Sequence, residues 1–454
     1  MRGLAKWTVA LAALIVGQAL ASPLARGLPG PVQVTPNPNG SVVGPDNFLG
    51  GYWKGNTTNR PGTNKYEHRM MEAAASSSGI LPIELVNNIP GSSPGSVNAY
   101  IQGRDTAGNI VFVRADGSFY YPPGTASGVP VPITENIAIP LGGQGSTTTV
   151  TILNFLISGR VYLARGDLKF FMVSGGLVQP SPANPSDPSA NIDWGFIELT
   201  NDPAAGLFAN ISYVDFIGMI LGMSLTSTDG SVQTALGLKP NAVQDICSHL
   251  VAQTSIDGQP WASLCETSTS GDYIRILSPN LYISTHPDAF ANYWTYYVNN
   301  VYSRYASQPL TINTQSGPGN VHCTTGGSDT MTCVGSDVNF PKPNARDIFG
   351  CNSGPFVVRG NIVDALVVPR LCAAFNRGTL LLPGGDVQPS LSADHYYTTS
   401  PSNFYSKFVH GNEVDGKGYA FPYDDVNPDG ENASGLLSSP NPRLLRVTVG
   451  GPSS

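Results

Sequence analysis

Charge is what this sequence has least of: Asp, Glu, Lys and Arg make up 12% of its 454 residues, about half the share in an average soluble protein. The 24 Lys and Arg are scattered and outnumbered by 31 Asp and Glu. With no basic block to hold a phosphate backbone, nucleic acid is excluded as a partner, whereas a neutral polymer needs no such steering. Cysteine is missing from the first half of the chain; the six lie at 247, 265, 323, 333, 351 and 372. They form no CxxC, and the six His form no HExxH, so the usual zinc spacings are absent and no metal or other cofactor is expected. Beyond the N-terminus there is no long apolar run. Phe216 to Leu225 is apolar but only strand-length, too short to span a bilayer.

What the chain has instead is 51 Gly and 38 Pro, which favour short strands joined by ordered turns. Its first residues run from Arg2 and Lys6 through an apolar stretch, Trp7 to Val16, to the small residues Ala19 and Ala21. That is the layout of a cleaved secretory signal over residues 1–21; Gly17 and Gln18 interrupt the run before it could anchor the protein. A secreted protein, extracellular or in a cell wall, without membrane attachment after cleavage, is expected. The oxidising route permits disulfides among all six cysteines, and pairing of sequence neighbours (Cys247 with Cys265, Cys323 with Cys333, Cys351 with Cys372) would close three local loops, although six cysteines admit many other connectivities. Asn39, Asn56 and Asn432 open N-x-S/T sequons in polar surroundings, consistent with a glycoprotein.

Residues 22–79 are rich in Pro, Gly, Asn and Ser and lack periodicity, as in a linker or pro-region. From residue 80 to 226 the pattern is one of short strands: Leu81 to Ile89, Val97 to Ile101, Ile110 to Arg114, Ser118 to Tyr121, then Val150 onward to Phe216, with no long helix between them. Residues 227–345 change character. Ala242 to Gln253 and Asp288 to Ala306 carry apolar residues at helical intervals, and Phe290, Trp294, Tyr297, Val301 and Tyr305 form a stripe that reads as a packing face. Strands are expected again from 346 to 449, at Phe356 to Val358, Ile362 to Val368, Thr379 to Leu382, Tyr419 to Pro422 and Leu444 to Val449. The pattern as a whole implies a discontinuous β domain with an inserted mixed α/β domain bearing disulfides.

Two carboxyl groups interrupt otherwise apolar strands. Glu198 lies in Trp-Gly-Phe-Ile-Glu-Leu-Thr (194–200) and Asp215 in Ile-Ser-Tyr-Val-Asp-Phe-Ile (211–217). Alternation puts Glu198 on the face of Trp194, Phe196 and Thr200, and Asp215 on that of Ile211 and Tyr213. A pair of carboxyl groups in different protonation states is what glycoside hydrolysis requires. Asn201 to Gly206 reads as a hairpin turn. In a symmetric hairpin Glu198 opposes Ala209, which leaves Asp215 about 20 Å away along a flat strand, beyond the roughly 5 to 9.5 Å of a catalytic pair. A bend, bulge or shifted register is therefore required. Asn210 opens a further sequon and, counted back from Asp215 along one strand, points to the opposite face.

At these motifs the sequence resembles the β-1,3-glucanases of glycoside hydrolase family 64, related in fold to thaumatin-like proteins. Leu-Pro-Ile-Glu-Leu-Val-Asn-Asn (81–88), Asn-Pro-Ser-Asp-Pro (184–188), the two carboxylate motifs, Asp-Gly-Gln-Pro-Trp (257–261), Leu-Ser-Pro-Asn-Leu (277–281), Asp-Ile-Phe-Gly-Cys-Asn-Ser-Gly-Pro-Phe (347–356), Leu-Cys-Ala-Ala-Phe-Asn-Arg (371–377) and Tyr-Ala-Phe-Pro-Tyr-Asp-Asp-Val (419–426) follow in order. The resemblance implies a β-rich α+β protein: a thaumatin-like β-barrel or sandwich, an inserted mixed α/β domain, and an open groove for β-1,3-glucan between them. It implies a monomeric inverting glucan endo-1,3-β-glucosidase with Glu198 as general acid and Asp215 as general base, and Asp424 and Asp425 as substrate contacts; Thr200, two positions beyond Glu198 on the same face, is expected as a further contact. The alternative from a different class is a thaumatin-like lectin that grips β-1,3-glucan without cutting it. Two retained carboxyl groups argue against that, because binding alone needs no acid and base.

Overall fold

The computed structural model describes residues 79–452 except Gly175, Ser328, Gly360, Asn432 and Ala433. The signal, the linker or pro-region and the sequons at Asn39, Asn56 and Asn432 lie outside the described residues.

Leu81–Asn87 alternates buried and half-buried side chains along its whole length, the period-two pattern of a strand with one face on a core. It pairs in parallel with Pro442–Val449 and antiparallel with Thr147–Ile152. Leu221–Ser227 and Val232–Ala235 complete this sheet beyond Pro442–Val449. The second sheet is built on four long strands, β1 (Asn98–Arg104), β2 (Leu156–Arg165), β3 (Asp193–Asp202) and β4 (Gly206–Ile211), in the order β1-β2-β3-β4. Ile110–Val113 and Phe119–Tyr120 extend it past β1, and Leu437–Ser439 pairs with β4 at the other end.

The two sheets pack face to face. Ile83, Leu85, Val150, Met223 and Val447 from one, and Ile101, Val161, Leu163, Ile197 and Leu199 from the other, share one buried cluster, and each such side chain contributes about 1.5–3 kcal/mol by leaving water. Each sheet ends in an edge strand, so the described residues form a β-rich sandwich with a few helices and no closed barrel. No helix among them is long and apolar enough to cross a membrane.

The middle of the chain supplies helices α1 (Ala242–Asp257) and α2 (Thr295–Ser307). The aromatic stripe expected at the second is buried throughout, although the helix starts only at Thr295, after a short helix at Pro279–Thr285. The three disulfides join Cys247 to Cys265, Cys323 to Cys333 and Cys351 to Cys372, each pairing neighbours.

After residue 346 the strand expectation needs correction. Ile362–Val368 is the start of helix α3 (Ile362–Arg377). Its β-branched run suits a strand, but Asn361 caps it by accepting from the Val363 and Asp364 amides, Gly378 ends it in a left-handed conformation, and it is buried on every side from Asp364 onward. A helix enclosed all round shows no polar stripe, so its sequence mimics a buried strand. Helix α4 (Phe404–Asn412) follows, Phe356 ends a short 3-10 helix at Gly354–Phe356, Thr379 to Leu382 and Tyr419 to Pro422 form no strand beyond one bridge at Tyr419, and the chain rejoins the two sandwich sheets only at Leu437.

Candidate active site

One cross-strand row of the second sheet is polar. Gln102 of β1 pairs with Arg160 of β2, Arg160 with Glu198 of β3, and Glu198 with Asn210 of β4, so the four side chains stand on the face opposite the sandwich core. All four are buried, Glu198 to 1% exposure. The next row along that face is aromatic: Tyr100, Tyr162 and Phe196. Trp194 and Phe216 stack around Phe196, with ring centroids 6.3 and 5.8 Å away. Thus the alternation read around Glu198 is correct, and the polar row is set against an apolar wall.

Charges in such a place must be paired. Arg160 Nη2 lies 3.2 Å from Glu198 Oε1. Arg160 Nη1 donates to Gln179 Oε1 at 2.7 Å, Tyr162 donates to the same oxygen at 2.6 Å, and Gln179 Nε2 donates to Gln102 at 3.2 Å. The guanidinium carbon lies 4.4 Å from the Phe196 ring centroid. Burial works against the charge of Arg160, but Tyr162, Glu198 and Asp215 together hold it more firmly protonated than in water. Asn210 Nδ2 faces Glu198 Oε2 at 3.5 Å.

Asp215 acts electrostatically on the same guanidinium. The chain brings it there by abandoning the strand. Asp202 Oδ1 accepts from the Ala204 and Ala205 amides, and Gly206 takes a positive φ of 84°, so Asp202 pairs with Gly206 across a tight turn. This shifts the register by one: Glu198 opposes Asn210, not Ala209. Strand β4 then ends at Ile211. The Tyr213 amide donates to Tyr419 O, and Asp215 O accepts from the Ser278 amide. Phe216–Ile217 pairs with Tyr273–Leu277, and the Met219 amide donates to Trp194 O at 3.1 Å. The segment after Asp215 is thereby folded back onto β3. Two glycines permit the approach. A Cβ on Gly218 would lie 2.0 Å from Trp194 O, and one on Gly195 would lie 2.8 Å from Met219 O, so the glycine of the Trp-Gly-Phe motif exists to admit this return.

Asp215 is 6% exposed. Burial raises its carboxyl above the usual carboxylate range and Arg160 offsets part of that rise. Its Oδ1 has no hydrogen-bond partner among the described residues.

The break at Ile211 also corrects Asn210. Because Asp215 does not continue β4, counting back from it misassigns the face: Asn210 stands beside Glu198, 1% exposed, where a glycan cannot fit in the folded protein.

Thr200 lies on the Glu198 face but is occupied. Its Oγ1 accepts from the Ser158 amide at 3.1 Å. Ser158 has a positive φ of 49° and is the residue at which β2 slips register against both β1 and β3, so Thr200 closes a bulge that curves the sheet beside Glu198. Asp424 is fully enclosed. Its carboxylate takes Arg377 Nη2 at 3.0 Å, His410 Nε2 at 3.0 Å and the Ala420 amide at 2.9 Å. Burial would raise its pKa, but His410 and Arg377 hold it below the usual range. Asp425 is half-buried and lies close enough to Tyr419 and Arg370 to act on both.

Arg160, Gln102 and Gln179 were not singled out from the sequence. The available signal was Arg160 itself, an arginine at the head of the apolar run Val161 to Ala164. Among the described residues no group of three His, Cys, Asp or Glu could hold a metal ion.

Residues 79–449 match the family model described as the β-1,3-glucanases of glycoside hydrolase family 64. Two proteins named glucan endo-1,3-β-glucosidase, from Cellulosimicrobium cellulans and from Arthrobacter sp. (strain YCWD3), are each 29% identical over 377 residues, 81% of this chain. The chain spans 65% of the length of those relatives. A laminaripentaose-producing β-1,3-glucanase solved in complex with laminaritetraose superposes with a TM-score of 0.73 at 26% identity, over 82% of this chain and 99% of that one. A β-1,3-glucanase domain from Clostridium beijerinckii shares the fold, with a TM-score of 0.64 at 23% identity over 82% and 98% of the two chains.

Proposed function

The chain belongs to glycoside hydrolase family 64, the β-1,3-glucanases, and from that premise we propose that it hydrolyses β-1,3-glucan with inversion, Glu198 acting as general acid and Asp215 as general base. The observation that supports the assignment is that Glu198 pairs with the buried Arg160 at 3.2 Å, while the chain's return after Ile211 brings the buried Asp215 near enough to feel the charge of the same guanidinium.

Glu198 gives its proton to the glycosidic oxygen as the bond from that oxygen to C1 breaks. A water attacks C1 from the opposite face, and Asp215 takes its proton. The Arg160 guanidinium, 3.2 Å from Glu198, stabilises the carboxylate that Glu198 becomes as it loses its proton. Asp215 suits a base: burial makes its carboxylate a stronger proton acceptor, and its buried Oδ1 has no protein hydrogen-bond partner among the described residues. The substrate lies along a groove over this face, with Asp425 as a sugar contact, Asp424 as the residue that holds its turn, and Thr200 as the brace of the bulge. The chain is exported behind a signal spanning residues 1–21 and cleaved to release a monomer, and residues 80–235 with the last strands, from Leu437, form the β unit that the helices α1 to α4 interrupt.

Purified protein is mixed with laminarin and reducing ends are counted. Glu198→Gln and Asp215→Asn should each bind laminarin and lose turnover by on the order of a thousandfold or more. Full activity in either variant removes that residue from the assignment, and wild-type protein that retains laminarin uncut is a lectin.

A further inference from the structure

A second buried charge cluster stands behind the site, and the mechanism above does not use it. His410, in the last turn of α4, is held on both ring nitrogens: Nδ1 lies 2.9 Å from Glu413 Oε2 and Nε2 lies 3.0 Å from Asp424 Oδ2. A ring that bonds a carboxylate at each end carries two protons and a positive charge. Glu413 and Asp424 are the two ends of a loop, so His410 pins that loop at both.

The middle of the loop is joined to the Asp215 segment. The Tyr213 amide donates to Tyr419 O at 2.7 Å and the Tyr419 amide to Ile211 O at 3.3 Å. The Asp424 oxygen that accepts from His410 also accepts from the Ala420 amide. Helix α4 holds both partners of this junction: Tyr405 donates to Tyr213 O at 2.6 Å and Ser406 Oγ to Ala420 O at 3.3 Å. Tyr405 is near enough to Asp215 to feel its charge. Packing leaves no slack, since a Cβ on Gly418 would fall 2.5 Å from Glu413 Oε1 and 2.7 Å from the Tyr213 ring.

We propose that His410, clamped as an imidazolium between Glu413 and Asp424, is a positioning residue that fixes Asp215 through the Tyr419–Asp424 turn; the inference rests on the reading of Asp215 as the general base. The groups around His410 agree with its charge. Burial opposes it, but Glu413 and Asp424 carry its pKa up to about 10. Tyr397 stacks against the ring with centroids 6.0 Å apart. Arg377 faces the far side of Asp424, and Asp415 and Tyr213 interact with Glu413.

The test is the pH profile of laminarin hydrolysis by His410→Gln, which can bond only one of the two carboxylates, alongside Glu413→Gln, Asp215→Asn and wild type. His410→Gln should keep its folded circular dichroism, lose kcat on the order of tenfold to a hundredfold with KM within about twofold, and shift the acid limb of kcat/KM, because moving Asp215 relative to Arg160 changes its proton affinity. Glu413→Gln should shift the limb in the same direction by less, and serves alone if His410→Gln does not fold. A lower kcat with the limb unmoved, or no change at all, overturns the inference. If Asp215→Asn retains turnover, the reading of Asp215 itself fails; if Asp215→Asn is inactive while His410→Gln keeps the wild-type limb, only the positioning role fails.

Discussion

Replacing Arg160 by methionine removes the cation beside Glu198 while keeping most of its volume, and the cost follows from the geometry. Arg160 and Glu198 have side chains 3% and 1% exposed, with 3.2 Å between charged atoms. In the form with Glu198 ionised, through which each turnover passes before the acid is reprotonated, breaking the buried pair from one side leaves the other charge without its counterion, which costs about 3–5 kcal/mol. Gln179, Tyr162 and Gln102 remain hydrogen-bonded to one another, so the loss should stay near that range. Chemical denaturation of wild type, Arg160→Met, Glu198→Gln and the double variant forms a thermodynamic cycle. Neutralising Glu198 removes the stranded charge, so the double variant should recover about 1.5 kcal/mol or more of the Arg160→Met loss as a coupling term. Additive losses, or an Arg160→Met protein as stable as wild type, would refute the claim that the row is held by this pair.

Asp215 is raised by burial, so activity requiring its ionised form should fall, as pH drops, through a limb above the ordinary aspartate value of about 3.9; a laminarin profile flat down to that value contradicts this. Gly218→Ala puts a methyl 2.0 Å from Trp194 O and should unseat the returning segment, abolishing turnover while the far sheet stays folded by hydrogen exchange. Thr200→Val strands the Ser158 amide, and denaturant melts should show a loss of about 1–3 kcal/mol with kcat reduced less than by either carboxyl variant.

Local pattern made much of this fold legible and long-range approach made the rest illegible. Most strands of both sheets and helix α1 follow from alternation and spacing, and of the connectivities open to six cysteines the expected neighbour pairing is the one formed; Val232–Ala235 and Leu437–Ser439 were not anticipated. Helix α3 was misread because a fully enclosed helix presents the same apolar run as a buried strand. At the site, the two carboxyl groups stood out as charges within apolar strands, but their relation could not be read from spacing. It depends on Gly195 and Gly218 meeting across the fold, and no window of sequence contains both sides of that contact. The same return explains Asn210, whose face was counted from a residue no longer in its strand. Arg160 passed unremarked because its meaning lies in partners 19 and 38 residues away. Asp424 was recognised as important from its motif; its partners, His410 and Arg377, make it an internal strut.

Glu198 and Asp215 as acid and base on opposite sides of a glycosidic bond are tested most directly by the configuration of the first product. Wild-type protein is added to laminarin in an NMR tube and the new anomeric proton is observed before mutarotation. The account predicts that the α-anomer appears first and decays toward equilibrium. A β-anomer appearing first would mean retention, with a covalent intermediate in place of an activated water, and would contradict the assignment of Asp215 as the base.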